Sequence, residues 1–153
     1  MQIVLLKEID DVGFIIYTNG VSQKGQDMHA NPRASMLLYW PSLGRQLRVE
    51  GRVEQVSPDK SDAYFASRSR GSQLAAAASR QSSPLASRQE LLQQLQAIDA
   101  KHPGQVPRPA SWGGWRLVPQ RIELWSDGSH RLHTRDSYLK LESGEWLHEL
   151  QQP

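Results

Sequence analysis

Between Tyr64 and Gln73 the chain reads Tyr-Phe-Ala-Ser-Arg-Ser-Arg-Gly-Ser-Gln, with two arginines, three serines, a tyrosine and a glycine within ten residues. Arginine presents a planar fork of donors that matches phosphate oxygens, and serine hydroxyls fill the remaining acceptor sites. Gly71 lets backbone approach an anion closely, and a helix starting near Ser72 would aim free N–H groups at it. These residues suit a phosphate clamp. The competing reading is a solvated basic loop between two helices, and only the rest of the chain separates the two.

The chain has 153 residues, enough for one domain spanning 1–153 around one core. Hydrophobic residues make up 38% and charged residues 22%, the balance of a water-soluble globular chain. No apolar run is long enough to span a bilayer, so no membrane partner is expected. Cysteine is absent, which excludes disulfides, thiol catalysis and thiolate metal sites, and favours a cytoplasmic location. The net charge is only +2, yet thirteen of the eighteen basic residues are arginine, a bias towards anionic ligands. Nucleic acid is not the expected ligand, because no basic block, zinc pattern or RNA-binding aromatic signature is present. The five histidines show no metal-ligand spacing, so no metal is expected.

The elements that must position the clamp follow from pattern. Ile3–Leu6 reads as a short buried strand, and Asp10-Asp11-Val12-Gly13 as a turn into a second strand ending at Thr18. Ser22 caps a short helix to about His29, stopped by Asn31-Pro32. Ala34–Trp40 reads as another buried strand. From Gln46 to Val56 the period is two: Leu47, Val49, Gly51 and Val53 share one face, and Arg48, Glu50, Arg52 and Glu54 the other. Gly51 in that run suggests a bend or bulge. Ser57-Pro58 starts a helix carrying Tyr64 and Phe65 towards the clamp, and Leu74–Ala78 is a short alanine-rich helical piece. Ser87-Arg88-Gln89-Glu90 is a capping box for a helix to about Lys101. The last third reads as strands at 115–118 and 121–125 flanking Pro119, then 131–141 and 145–150. The fold class expected is mainly β: an antiparallel split barrel with two or three peripheral helices.

The motifs Ile3-Val4-Leu5-Leu6-Lys7, Tyr17-Thr18-Asn19, Arg45-Gln46, Tyr64-Phe65 with Ser67-Arg68 and Arg70-Gly71-Ser72-Gln73, Gln81-Ser82-Ser83, Val106-Pro107, Trp112-Gly113-Gly114, Ile122-Glu123 with Trp125, and Arg131-Leu132-His133 with Arg135 occur in a recognisable order. Together they resemble the pyridoxine (pyridoxamine) 5'-phosphate oxidase family, flavoproteins of the FMN-binding split-barrel fold. The resemblance runs from Gln2 to about Tyr138. It implies FMN in a cleft between the two subunits of a homodimer. One subunit would supply the segment Gln2, Ile3, Val4, Leu5, Leu6 and Lys7, with Tyr17, Thr18, Lys24 and Gln46. The partner would supply Gln81, Ser82, Trp125 and Arg135. The substrate phosphate would rest on Lys7, Tyr64, Arg68 and Ser72, with Arg131 and His133 over the substrate ring as catalytic residues. The implied reaction removes a hydride equivalent from the C4' carbon of pyridoxine or pyridoxamine 5'-phosphate, with FMN and then oxygen as acceptors.

Departures from the family pattern accompany the matches. The family has arginines where Gln2 and Gln23 stand, both near the cofactor phosphate. Ala75-Ala76-Ala77 replaces a Gly-Ala-Trp, and Thr134 an aspartate. The family also begins with a helix and two strands ahead of the segment matching Ile3, so this sequence reads as an N-terminally truncated member. These departures motivate an alternative: a catalytically weakened or inactive paralogue that binds flavin or vitamin B6 phosphates.

Overall fold

The computed structural model describes residues 1–153. Seven strands, β1 (Glu8–Ile9), β2 (Phe14–Asn19), β3 (Arg33–Trp40), β4 (Arg45–Gln55), β5 (Trp112–Ser126), β6 (Thr134–Lys140) and β7 (Trp146–Leu150), pair in the order β1-β2-β5-β4-β3, with β6 on β5 and β7 on β6. Four helices accompany them, α1 (Gln23–Ala30), α2 (Pro58–Ser67), α3 (Arg70–Ala78) and α4 (Arg88–Lys101), one more than the two or three expected. The chain forms two compact units: Met1–Glu8 with Ile15–Asn31 and Gln55–Arg116, and Ile9–Phe14 with Pro32–Glu54 and Leu117–Pro153.

In the first unit, serine caps set the helix starts. Ser22 accepts from Gly25 N–H, Ser57 from Lys60 N–H and Ser87 from Glu90 N–H, so the expected starts hold. The core joins Phe65, Leu74, Val106 and Trp112, with Leu95 and Ile98 of α4 packed against it. Burying a side chain such as Phe65 contributes about 1.5–3 kcal/mol, and it anchors the end of α2 that carries Tyr64 and Arg68. Helix α3 begins at Arg70, so Ser72 lies inside its first turn rather than ahead of it. Ile3–Leu6 is not a strand. Residues 1–7 are irregular, and Ile3 and Leu5 are exposed. An apolar run becomes a strand only when a neighbour takes its backbone groups, and here pairing begins at Lys7, whose N–H donates to Ile15 O at 3.0 Å.

In the second unit, β3 pairs antiparallel with β4, β5 with β6, and β6 with β7. The alternation of β4 is as expected, with Val49, Gly51 and Val53 buried and Glu50, Arg52 and Glu54 exposed. Gly51 marks a close approach: a Cβ there would lie 2.0 Å from Val118 O and 3.0 Å from Pro119 Cα. That approach belongs to the stretch where β5 runs unbroken through Pro119, against the expected pair of shorter strands. Strand β3 is not buried as expected. Leu37, Tyr39 and Trp40 are exposed, since β3 ends the strand order and has a single neighbour. The strand expected from Arg131 begins only at Thr134, because His130 and Arg131 adopt positive φ (56° and 65°) in a 3-10 turn.

Candidate functional site

The first unit builds two adjoining clusters. Tyr17 of β2 stacks on Tyr64 of α2 with centroids 3.8 Å apart, and both lie nearly parallel to Trp112, the first residue of β5, at 5.6 and 6.1 Å. Gly114 makes room for this stack, because a Cβ there would sit 2.8 Å from Tyr17 Cε1 and 2.6 Å from Val56 Cγ2. Burial, then the nearby Glu8 carboxylate, pushes the Tyr17 phenol above its ordinary value. Arg68 caps the C-terminus of α2, its backbone N–H donating to Phe65 O at 3.2 Å. Its guanidinium carbon lies 4.8 Å from the Trp112 ring centre and 5.6 Å from that of Phe65. Arg68 Nη1 is buried and has no hydrogen-bond partner. Burial holds the Arg68 pKa below its ordinary value. A half-buried cation with one buried donor that has no partner is suited to an incoming anion.

Arg70, two residues on, is committed elsewhere. Its Nε and Nη2 donate to Asp99 Oδ1 at 2.9 and 2.5 Å, and it donates further to Gly104 O and His102 O. Arg70 therefore ties α3 to the end of α4 and, unlike Arg68, is not available to the phosphate clamp expected of this stretch. Ser72 accepts from the Ser69 hydroxyl at 3.0 Å. Lys7 is exposed, as are Gln2, Ile3 and Leu5, while Val4 and Leu6 are half-buried.

The second cluster surrounds Lys24. Its Nζ donates to Thr18 Oγ1, to Ser22 Oγ at 3.2 Å and to Gln81 Oε1 at 3.3 Å, and Thr18 Oγ1 donates to Gln81 Oε1 at 3.2 Å. The resemblance assigns Gln81 to the partner subunit; the structure places it against Thr18 and Lys24 of its own chain. Burial lowers the Lys24 pKa. An ammonium surrounded by hydroxyl and amide oxygens keeps charge to offer an anion, so this donor set fits a cofactor phosphate. Gln23, by contrast, donates to Asp27 Oδ1 on its own helix at 2.9 Å. Ser82 is exposed with φ +70°.

The second unit holds the remaining residues. Trp125 and Arg135 face each other across β5 and β6, and His133 tilts against the Trp125 ring at 4.7 Å. His133 Nδ1 accepts Gly128 N–H at 3.2 Å and lies 3.1 Å from Asp127 Oδ1. Arg131 is exposed on its positive-φ turn, ahead of the strand expected to include it. Gln46 Oε1 accepts from Arg48 Nε and Nη2 at 3.2 and 2.9 Å, and Arg48 Nη1 donates to Glu123 Oε1 at 3.2 Å. Arg135 closes the chain of bonds with a fork onto Glu123 at 3.0 and 2.8 Å. Together Arg48, Glu50, Arg121, Glu123 and Arg135 line a recess of about 170 Å³. The hydrogen bond from Arg135, with the charges of Arg135, Arg48 and Arg121, holds the Glu123 carboxyl below its ordinary range against the opposing effect of burial.

Residues 1–102 match the family model described as pyridoxamine 5'-phosphate oxidase, and residues 112–153 match the pyridoxine 5'-phosphate oxidase C-terminal dimerisation region. The chain belongs to the pyridoxamine 5'-phosphate oxidase family. Among curated relatives, pyridoxine/pyridoxamine 5'-phosphate oxidase of Myxococcus xanthus is 49% identical over 99% of this chain and 74% of its own length. That of Bordetella petrii is 52% identical over 95% of this chain and 69% of its own. Among solved structures, PhzG from Burkholderia lata, in complex with tetrahydrophenazine-1-carboxylic acid, superposes with a TM-score of 0.93 at 31% identity, covering 99% of this chain and 74% of that one. A pyridoxamine 5'-phosphate oxidase-related, FMN-binding protein of Nostoc punctiforme shares the fold, with a TM-score of 0.76 at 16% identity and 98% of this chain covered. The expected class, an antiparallel split-barrel fold of oxidoreductases, therefore holds, and the family supports FMN as the cofactor and a homodimer through residues 112–153.

Sequence reasoning missed Glu123, Arg48 and Trp112 as parts of the site. The signal for Glu123 was a carboxylate inside the apolar run Ile122–Trp125, which demands a cationic partner when buried. No local signal marks Trp112 as the neighbour of Arg68.

Proposed function

We propose that the chain is an FMN-dependent oxidase that converts pyridoxine or pyridoxamine 5'-phosphate to pyridoxal 5'-phosphate, in vitamin B6 metabolism, working as a homodimer with FMN at the subunit interface. The observation that carries this reading is the open Nη1 of Arg68, desolvated beside Trp112 and close in the chain to Tyr64. It supports a site for one small anionic group next to an aromatic wall. A charged hydrogen bond of that kind contributes about 1.5–3 kcal/mol and orients the substrate by a group remote from the reacting carbon. Lys7 and Ser72 complete the proposed phosphate site.

Lys24 with Thr18 and Gln81 would hold the FMN phosphate. Tyr17, Gln46, Ser82 and the segment Gln2–Lys7 would line the cofactor, and Trp125 and Arg135 would meet the flavin of the partner subunit. FMN supplies the two-electron chemistry when bound. His133 would act through Nε2, since Nδ1 accepts from Gly128 N–H. Nε2 is then the ring nitrogen left to exchange a proton with substrate. Arg131, exposed on its turn, would orient the pyridine ring.

The superposition on PhzG favours a second reading, oxidation of a partly reduced tricyclic carboxylic acid. An assay separates them. Peroxide release with pyridoxamine 5'-phosphate, and none with unphosphorylated pyridoxamine or a tetrahydrophenazine carboxylic acid, supports the first. Turnover of the tricyclic acid alone supports the second. Bound flavin without turnover of either supports the weakened paralogue that Gln2 and Gln23 suggest.

A further inference from the structure

We propose that Trp112 is a positioning residue for substrate binding: its indole face fixes the Arg68 guanidinium so that Nη1 is presented to the substrate phosphate. The inference rests on the phosphate reading of Arg68 given above. Arginine has a long, mobile side chain and must be held if it is to offer a donor in one place. The usual holder is a carboxylate, as Asp99 holds Arg70. A carboxylate at Arg68 would occupy the donors and repel the incoming anion. An aromatic face holds the cation through its quadrupole and leaves the in-plane N–H groups open. That is the arrangement found: the guanidinium carbon is 4.8 Å from the Trp112 ring centre, and Nη1 is buried without a partner.

Trp112 is itself fixed from several sides. Its ring is buried, its backbone N–H donates to Pro109 O at 2.9 Å, and its backbone carbonyl accepts from Arg108 Nη1 at 2.6 Å. Arg108 is in turn paired with Asp62 at 2.6 Å. The Phe65 and Trp112 rings form a T-shaped pair with centroids 5.1 Å apart, and Tyr64 lies parallel to Trp112. Arg68 therefore rests on a ring that is buried and packed against Phe65 and Tyr64. Tryptophan offers the strongest such surface among the aromatic residues.

The experiment measures affinities of the FMN-loaded protein for pyridoxal 5'-phosphate and for pyridoxal by calorimetric titration. The variants are Trp112→Leu, Trp112→Phe, Arg68→Ala and the double variant Trp112→Leu/Arg68→Ala. Trp112→Leu is expected to weaken pyridoxal 5'-phosphate about tenfold, with Trp112→Phe in between and pyridoxal changed less than about twofold. In the Arg68→Ala background, Trp112→Leu should cost no further phosphate preference. Equal losses for both ligands would make Trp112 a packing residue and overturn the inference while the phosphate reading stands. An unchanged preference in Arg68→Ala would overturn the phosphate reading, and the role of Trp112 with it. Should Trp112→Leu fail to fold, Trp112→Phe keeps a ring in the core and decides by the same ratio.

Discussion

Arg135 grips Glu123 with both arms of its guanidinium, at 3.0 and 2.8 Å, directly across the strand pair from Trp125. Glu123 is buried at 6% exposure and also accepts from Arg48, whose other nitrogens hold Gln46. Two residues expected at the cofactor, Gln46 and Arg135, are thus oriented by one carboxylate.

The Glu123 carboxyl is held below its ordinary value, first by the Arg135 hydrogen bond. Its contribution to stability is complete above the unfolded value of about 4.3 and is lost as pH falls through the lower folded value. Glu123→Gln should therefore lower Tm at pH 7, and the gap to the parent protein should close as the pH drops below about 4. Thermal unfolding at both pH values checks this; a gap that stays constant contradicts it.

Arg68 and Arg70 are two residues apart and should behave differently. Arg68→Ala should raise KM for pyridoxamine 5'-phosphate about 10- to 150-fold and leave bound FMN in place. Arg70→Ala breaks the tie to Asp99, Gly104 and His102, so it should lower Tm and leave KM close to that of the parent. Steady-state kinetics beside thermal unfolding separates them. Loss of flavin with KM unchanged in Arg68→Ala would reverse the division of the two phosphate sites.

Lys24 has hydroxyl and amide oxygens around its Nζ and no carboxylate among those contacts. Lys24→Met should raise the FMN dissociation constant by about tenfold or more, the worth of one charged hydrogen bond. Fluorescence titration of the apoprotein with FMN reads this directly. Unchanged affinity would remove Lys24 from the cofactor phosphate.

Gly114→Ala places a methyl 2.6 Å from Val56 Cγ2 and 2.8 Å from Tyr17 Cε1. Overpacking of that kind costs about 1–3 kcal/mol, a fall in Tm of about 2–12 °C. The Tyr17–Tyr64–Trp112 stack should loosen as well, seen as a changed near-ultraviolet circular dichroism signal.

Local chemistry made much of the fold legible. Helix caps at Ser22, Ser57 and Ser87 depend on residues three apart, and the two faces of β4 depend on a period of two. What sequence hid depends on distant neighbours. Pro119 looks like a break until Gly51, 68 positions earlier, brings its backbone against it. Ile3–Leu6 and Ala34–Trp40 look like buried strands because apolar content does not say what covers it. Arg68 and Arg70 look alike until Asp99 claims one and Trp112 the other. Arg131 gives no warning of its positive φ, which sequence signals reliably only through glycine or asparagine.

The most direct measurement is the visible absorption spectrum of the FMN-loaded protein, recorded without oxygen before and after addition of pyridoxamine 5'-phosphate. The flavin band in the blue should bleach on addition and return when air is admitted, with pyridoxal 5'-phosphate and peroxide formed in equal amounts. A flavin band that stays unchanged at saturating pyridoxamine 5'-phosphate would contradict the proposed function.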